Sequence, residues 1–131
     1  MIIPDSSAWI DYLRGRDTPA RPALRAALGQ NLAVVCEPVW AEVMRGARDE
    51  RHLERMSRMF AQLPMLPTVF ADWESAATIA RLTRERGVTI RSFMDCLIAG
   101  VALRHGATVL HSDGDFARIA GVFPMLDETR G

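Results

Sequence analysis

Five acidic side chains stand where carboxylates can act together: Asp5, Glu42, Asp95, Asp113 and Asp115. Asp5 directly follows the apolar opening at residues 1–4, and Asp113 comes just after the apolar run at 107–110. Asp95 lies near the start of a helical pattern, and Glu42 lies at the margin of another helix's apolar stripe. Gathered carboxylates repel one another, and at least one is forced toward its neutral form unless a cation intervenes. Mg²⁺ and Mn²⁺ are hard ions that favour carboxylate oxygens and water. Bound there, such an ion can ligate a phosphate oxygen and lower the pKa of a bound water. The expected chemistry is therefore metal-assisted attack on a phosphodiester. Each acid also has a plainer reading. Asp5 suits an Asx turn before two serines, and Asp95 suits a helix amino end. Glu42 suits an exposed i,i+3 pair with Arg45, and Asp113 and Asp115 suit a turn and a helix cap. Joint placement is what favours the metal.

The elements that must carry these acids follow from apolar periodicity. Residues 1–4, 32–36 (LAVVC), 65–66, 107–110 (ATVL) and 122–126 (VFPML) have strand character. Between them lie amphipathic helical patterns over 8–14, 19–28, 37–47, 53–63, 70–86 and 93–104. Ser6 or Ser7 is placed to cap the first, Pro38 opens the third in its first turn, and Ser92 caps the last. Pro4 removes a ladder N–H, so the first strand is expected to end slightly early. A short helix follows the turn at 111–116, and the polar tail at 127–131 is expected to fray. Strands alternating with helices imply a parallel sheet covered on both faces, with a ligand site at the carboxyl ends of the strands. Asp5 and Asp113 both fall there.

Bulk composition narrows the rest. The 131 residues fit one domain. No apolar run reaches the roughly 20 residues of a membrane helix. No signal peptide is visible, so the cytoplasm is the expected location. Cys36 and Cys96 sit in apolar runs and read as buried thiols, not as a disulfide scaffold. The sixteen positive charges are all arginine, and the net charge is zero. Lysine-dependent chemistry is thereby excluded, and nucleic acid would have to be held by local Arg side chains. Arg45 and Arg91 are candidates for phosphate, or else partners of the neighbouring acids. His111 borders the acidic turn and reads as structural; Trp9, Trp40 and Trp73 read as core or interface residues.

In order and spacing the motifs resemble the PIN-domain ribonucleases, and more closely the VapC-type toxins of toxin–antitoxin pairs. The segments that carry the likeness are IIPDSSAWIDYLRG, EPVWAEVMRGAR and IRSFMDCLIAGVALRHGATVLHSDGDFARIA. The resemblance implies a PIN-like, Rossmann-like three-layer α/β sandwich over residues 1–131, with about five parallel strands. It implies an endoribonuclease with Mg²⁺, or Mn²⁺ in its place, at Asp5, Glu42, Asp95 and Asp113, and Asp115 as a fifth acid. Ser6 or Ser7 would support the first acid. It further implies an RNA substrate of the transfer or ribosomal class, a homodimer, and a cognate antitoxin. Two adjacent apolar stripes over 37–63 are the expected docking groove for that antitoxin's helix. A receiver-type phosphoaspartyl protein is a poorer match, because it needs a Lys near the phosphate. A non-catalytic binding module on the same fold is disfavoured by the full acid set.

Overall fold

The computed structural model describes residues 1–131 and contains five strands and seven helices. In chain order these are β1 (Ile2–Pro4), α1 (Ser6–Arg14), α2 (Ala20–Gly29), β2 (Val35–Cys36), α3 (Glu37–Met44) and α4 (Glu50–Ala61). There follow β3 (Met65–Leu66), α5 (Phe70–Glu85), α6 (Phe93–His105), β4 (Thr108–Leu110), α7 (Asp115–Val122) and β5 (Glu128–Thr129). All strand pairings are parallel. They form a three-stranded group, β1-β4-β5, and a β2-β3 pair, joined by a bridge between Ile2 and Ala33. Successive residues of a strand face opposite sides of the sheet, and both Val109 and Leu110 are buried, as are Ile3 and Pro4. Both faces are therefore covered, giving the three layers expected. No helix is long and apolar enough to cross a membrane.

Pro4 does not shorten the first strand as expected. It pairs in register with Leu110, and the amide of Asp5 continues toward Leu110 O at 2.9 Å. Amides of alternate residues point the same way, so the N–H of Ile2 and the missing one of Pro4 both face β2. Ile2 N donates to Leu32 O and Val34 N to Ile2 O; the next rung needs a donor that proline lacks. Its effect is thus to reduce the β1–β2 ladder to one bridge, leaving the β1–β4 edge intact.

The carboxyl-terminal segment is the second correction. Residues 122–126 were expected to be a strand and 127–131 a frayed tail. Instead α7 runs to Val122, and the strand is the polar Glu128–Thr129, in register with Val109 and Leu110. The apolar run serves the core: Leu126 is buried and Phe123 half-buried. Pro124 interrupts any ladder there. Val109 N and His111 N find their acceptors at Asp127 O and Thr129 O, each at 2.9 Å.

Capping also differs in detail. Asp5, not a serine, caps α1, accepting from Ala8 N. Ser92 occupies the cap position of α6, but its hydroxyl makes no capping bond. Gly15 and Gly106 close α1 and α6 as the sequence suggests, at φ 66° and 61°, left-handed conformations that glycine adopts without cost, whereas α3 stops at Met44, short of 47, and α4 covers Glu50–Ala61 instead of 53–63. Trp9 is fully buried, whereas Trp40 and Trp73 are partly exposed.

Candidate active site

The site grows from the carboxyl ends of β1 and β4. Asp5 leaves β1 into the first turn of α1, where Oδ1 accepts from Ala8 N at 2.9 Å and from Ser7 Oγ at 2.7 Å. Ser7 Oγ in turn accepts from Ser112 N at 2.9 Å, which ties the end of β1 to the turn after β4. Asp5 Oδ2 is left free of hydrogen bonds. The side chain is buried, and burial pushes its pKa up to about 6 despite the opposing bonds from Ser7 and Ala8.

Asp95 projects from the first turn of α6 and is 6% exposed. Burial raises its pKa first, then contact with Asp115 and the charges of Asp5 and Asp113. Oxygens of Asp95, Asp113 and Asp115 lie within 4.8 Å of one another. Three of the five expected acids are thus brought together, and Asp5 faces them closely enough to perturb Asp95.

Asp115 holds this arrangement in place. It is fully buried at the start of α7. Its Oδ2 accepts from the amides of Arg91 (3.1 Å) and Ser92 (3.3 Å), at the entrance to α6. Its Oδ1 pairs with Arg118 Nη1 at 2.8 Å and with Arg91 Nε at 3.8 Å. The orphan donors that a Ser92 cap would have served lie at the same helix end that Asp115 secures, so α7 and α6 are locked at the edge that carries Asp95. Asp113 Oδ1 accepts from Asp115 N at 2.9 Å and meets Arg91 Nη2 at 3.5 Å. Arg91 is therefore an acid partner here, but of Asp113 and Asp115, not of the Asp95 expected from sequence.

Glu42 stands apart from this cluster. It is half-buried on α3 and receives a 3.3 Å bond from Ser6 Oγ, so one residue of α1 separates it from Asp5. Arg45, at the end of α3, is exposed and makes no side-chain hydrogen bond or ion pair. It does not pair with Glu42.

The donor set fits a hard divalent ion. Ligands on opposite sides of Mg²⁺ stand roughly 4 Å apart, and oxygens of Asp95 and Asp113 lying within 4.8 Å of each other admit that geometry. The free Oδ2 of Asp5 and the raised pKa values of Asp5 and Asp95 mark negative charge that the protein leaves uncompensated.

Two contributors were missed from sequence. Arg118 carried a usable signal, since i,i+3 from Asp115 on a helix brings the pair together. Glu128 carried none: its Oε2 lies 2.5 Å from Nε2 of the fully buried His111, a contact made only through β5 pairing.

Comparison with known proteins places this geometry in context. Residues 2–122 match the family model described as PIN domain. The chain is 40% identical over 125 residues to Ribonuclease VapC11 of Mycobacterium tuberculosis (strain ATCC 25618 / H37Rv), covering 93% of each. It is 38% identical over 95 residues to Ribonuclease VapC6 of the same strain, covering 71% of this chain and 73% of that one. In fold it is similar to VapBC2 from Rickettsia felis bound to a promoter DNA fragment, with a TM-score of 0.79 at 18% identity over 98% of both chains.

Proposed function

Because the chain belongs to the PIN-domain family, we propose that it is a Mg²⁺- or Mn²⁺-dependent endoribonuclease of the VapC toxin type, held inactive by a cognate antitoxin. The observation that carries this reading is the convergence of Asp95, Asp113 and Asp115 within 4.8 Å at the sheet edge that also carries Asp5, in a chain 40% identical to a VapC ribonuclease. The metal ligands are Asp5, Asp95 and Asp113. Glu42 joins at the rim through Ser6. Asp115 has both oxygens engaged, so it acts chiefly by positioning Asp95 and Asp113.

When bound, the metal supplies an activated water and neutralises charge on the phosphate. The protein's part is to hold the ligands. Ser7 and the Ala8 amide fix one oxygen of Asp5 and aim the other at the site. Burial and crowding keep Asp5 and Asp95 poor at holding negative charge alone, so a bound cation would stabilise their ionised forms. The amino end of α6 adds partial positive charge where a phosphate oxygen would lie. RNA of the transfer or ribosomal class in the cytoplasm is the substrate that follows from the VapC likeness.

The test is cleavage of purified transfer and ribosomal RNA. Activity is expected with Mg²⁺ or Mn²⁺, lost in excess EDTA, and not restored by Ca²⁺, which prefers longer bonds and looser geometry. Asp95→Asn is expected to abolish cleavage. Full activity of that variant, or full activity in EDTA, would refute the proposal.

A further inference from the structure

We propose that Arg118 and Arg91 form a phosphate shelf beside the carboxylates, and that a single RNA strand leaves the site across the groove they share with Gly87, Val88 and Thr89. This rests on the ribonuclease reading and adds to it the path of the substrate backbone.

The shelf follows from two arginines anchored by the acidic turn, neither of which commits its whole fork to those acids. One carboxylate, Asp115, faces two guanidinium groups: Arg118 at 2.8 Å and Arg91 at 3.8 Å. Its second oxygen is occupied by backbone amides. Asp113 reaches Arg91 at 3.5 Å, with a third of its own side chain exposed. The two arginine side chains remain 46% and 70% exposed. Each has five donors in a rigid fork, and Arg118 commits only Nη1. Its remaining donors make no hydrogen bond within the protein, and a buried acid holds the group in place. Preorganised forks of this kind suit phosphate oxygens.

Space and charge agree. A shallow groove of about 530 Å³ is lined by Gly87, Val88, Thr89, Arg91 and Arg118 and by no acid. The glycines at its edge are specific. Gly87 holds φ 73°, which lets the backbone turn tightly after α5. At Gly114 a Cβ would stand 3.0 Å from Arg118 Nη1, so glycine there lets the guanidinium lie over the acidic turn. The chain has no net charge, so RNA affinity must come from such a local cationic surface. Arg91 bridges the groove and the acids, so a phosphate on the shelf would adjoin one at the carboxylates.

The experiment measures binding and keeps turnover apart from it. In an Asp95→Asn background with Mg²⁺ present, affinity for a short fluorescein-labelled single-stranded oligoribonucleotide is read by fluorescence anisotropy across a salt series. Arg118→Gln and Arg91→Gln are each expected to weaken binding about tenfold, the loss of one charged hydrogen-bonded contact. Each should lower the log–log salt slope by about 0.7, the value for one single-strand phosphate. Because Arg118 also steadies Asp115, Thr89→Glu serves as a second variant. It touches none of the acids and should weaken binding at least as much by repulsion, with an unchanged melting temperature. Unchanged affinity and slope in the Arg variants and in Thr89→Glu, beside a parent protein that cuts RNA, would overturn the shelf and leave the ribonuclease reading standing. A parent that neither cuts nor binds RNA would overturn both.

Discussion

Asp5 and Asp95 are carboxylic acids that folding withdraws from water before any cation arrives, and that cost has a measurable sign. Asp5 is raised from 3.8 to about 6, and Asp95 is raised as well. A group whose folded pKa lies above its unfolded value contributes stability that is fully present below the unfolded value. That stability is lost as pH rises through the folded one. For Asp5 the difference corresponds to about 3 kcal/mol in the metal-free protein. The melting temperature in EDTA is therefore expected to fall as pH rises from about 4 through 6, and to keep falling as Asp95 ionises. Mg²⁺ should restore it at neutral pH, because binding to the folded state alone adds stability. Asp5→Asn keeps an oxygen for the Ala8 and Ser7 donors while removing the charge, so its metal-free form should melt several degrees higher at neutral pH. A flat melting profile in EDTA between pH 4 and 7 would mean the acids are not strained. At this scale the sequence was most legible: Asp5 and Asp113 end apolar strands, and that alone put them on the working edge. The saturation of Asp115 was only partly legible: Arg118 lies one turn on in the same helix, but the amides of residues 91 and 92 come from the distant entrance to α6.

Helices were readable where local chemistry decides them. Pro38 in the first turn of α3, Gly106 closing α6 and the i,i+3/i+4 apolar spacing act within one segment. The strands are two or three residues long, too short for a pattern of their own, and the last was misplaced because apolar content outweighed pairing. β5 nevertheless bears on the site. Glu128 reaches across to His111, which is fully buried, has no partner at Nδ1, and sits at the head of the acidic turn. Glu128→Ala would leave both imidazole nitrogens buried without a partner. The expected cost is about 1–3 kcal/mol, read as a lower urea midpoint with the same slope. Cleavage should fall too, since the residue 111–115 turn carries Asp113. A midpoint equal to that of the parent would return the tail to the frayed state the sequence suggested.

For the whole molecule, two apolar surfaces remain after the core is filled. Trp40, Trp73, Phe70 and Phe93 are between 39% and 77% exposed; exposed aromatics are surface that an interface can cover, and a homodimer through Trp73 is the assembly proposed. Trp73→Asp should shift the protein toward monomer in sedimentation velocity; an unchanged sedimentation coefficient at matched concentration would place the dimer contact elsewhere.

The other surface is the groove proposed for the antitoxin, and it differs from the sequence expectation in composition. Most of the two stripes over 37–63 is absorbed by the core: Val39, Val43, Met44, Met56 and Phe60 are all buried. What remains is a cleft of about 120 Å³ that α1 completes, with Ile10 and Leu13 facing Val43 and Met56. Glu42 lies on its wall, and Arg14 and Arg48 also line it. A helix seated there would place apolar side chains at i, i+3 and i+4 in the cleft. A basic side chain would meet Glu42, whose hydrogen-bond partner Ser6 is the chain neighbour of Asp5, and acids would meet the two arginines. Occupation of the cleft therefore leads by chemistry to the metal ligands, which explains how docking could silence the nuclease without covering every acid. Hydrogen exchange of the chain co-purified with a small protein encoded beside it should show added protection over residues 10–14 and 37–63. Leu13→Asp should weaken the complex while RNA cleavage by the free chain persists. Protection confined to other segments would move the antitoxin off this cleft, even with cleavage fully inhibited.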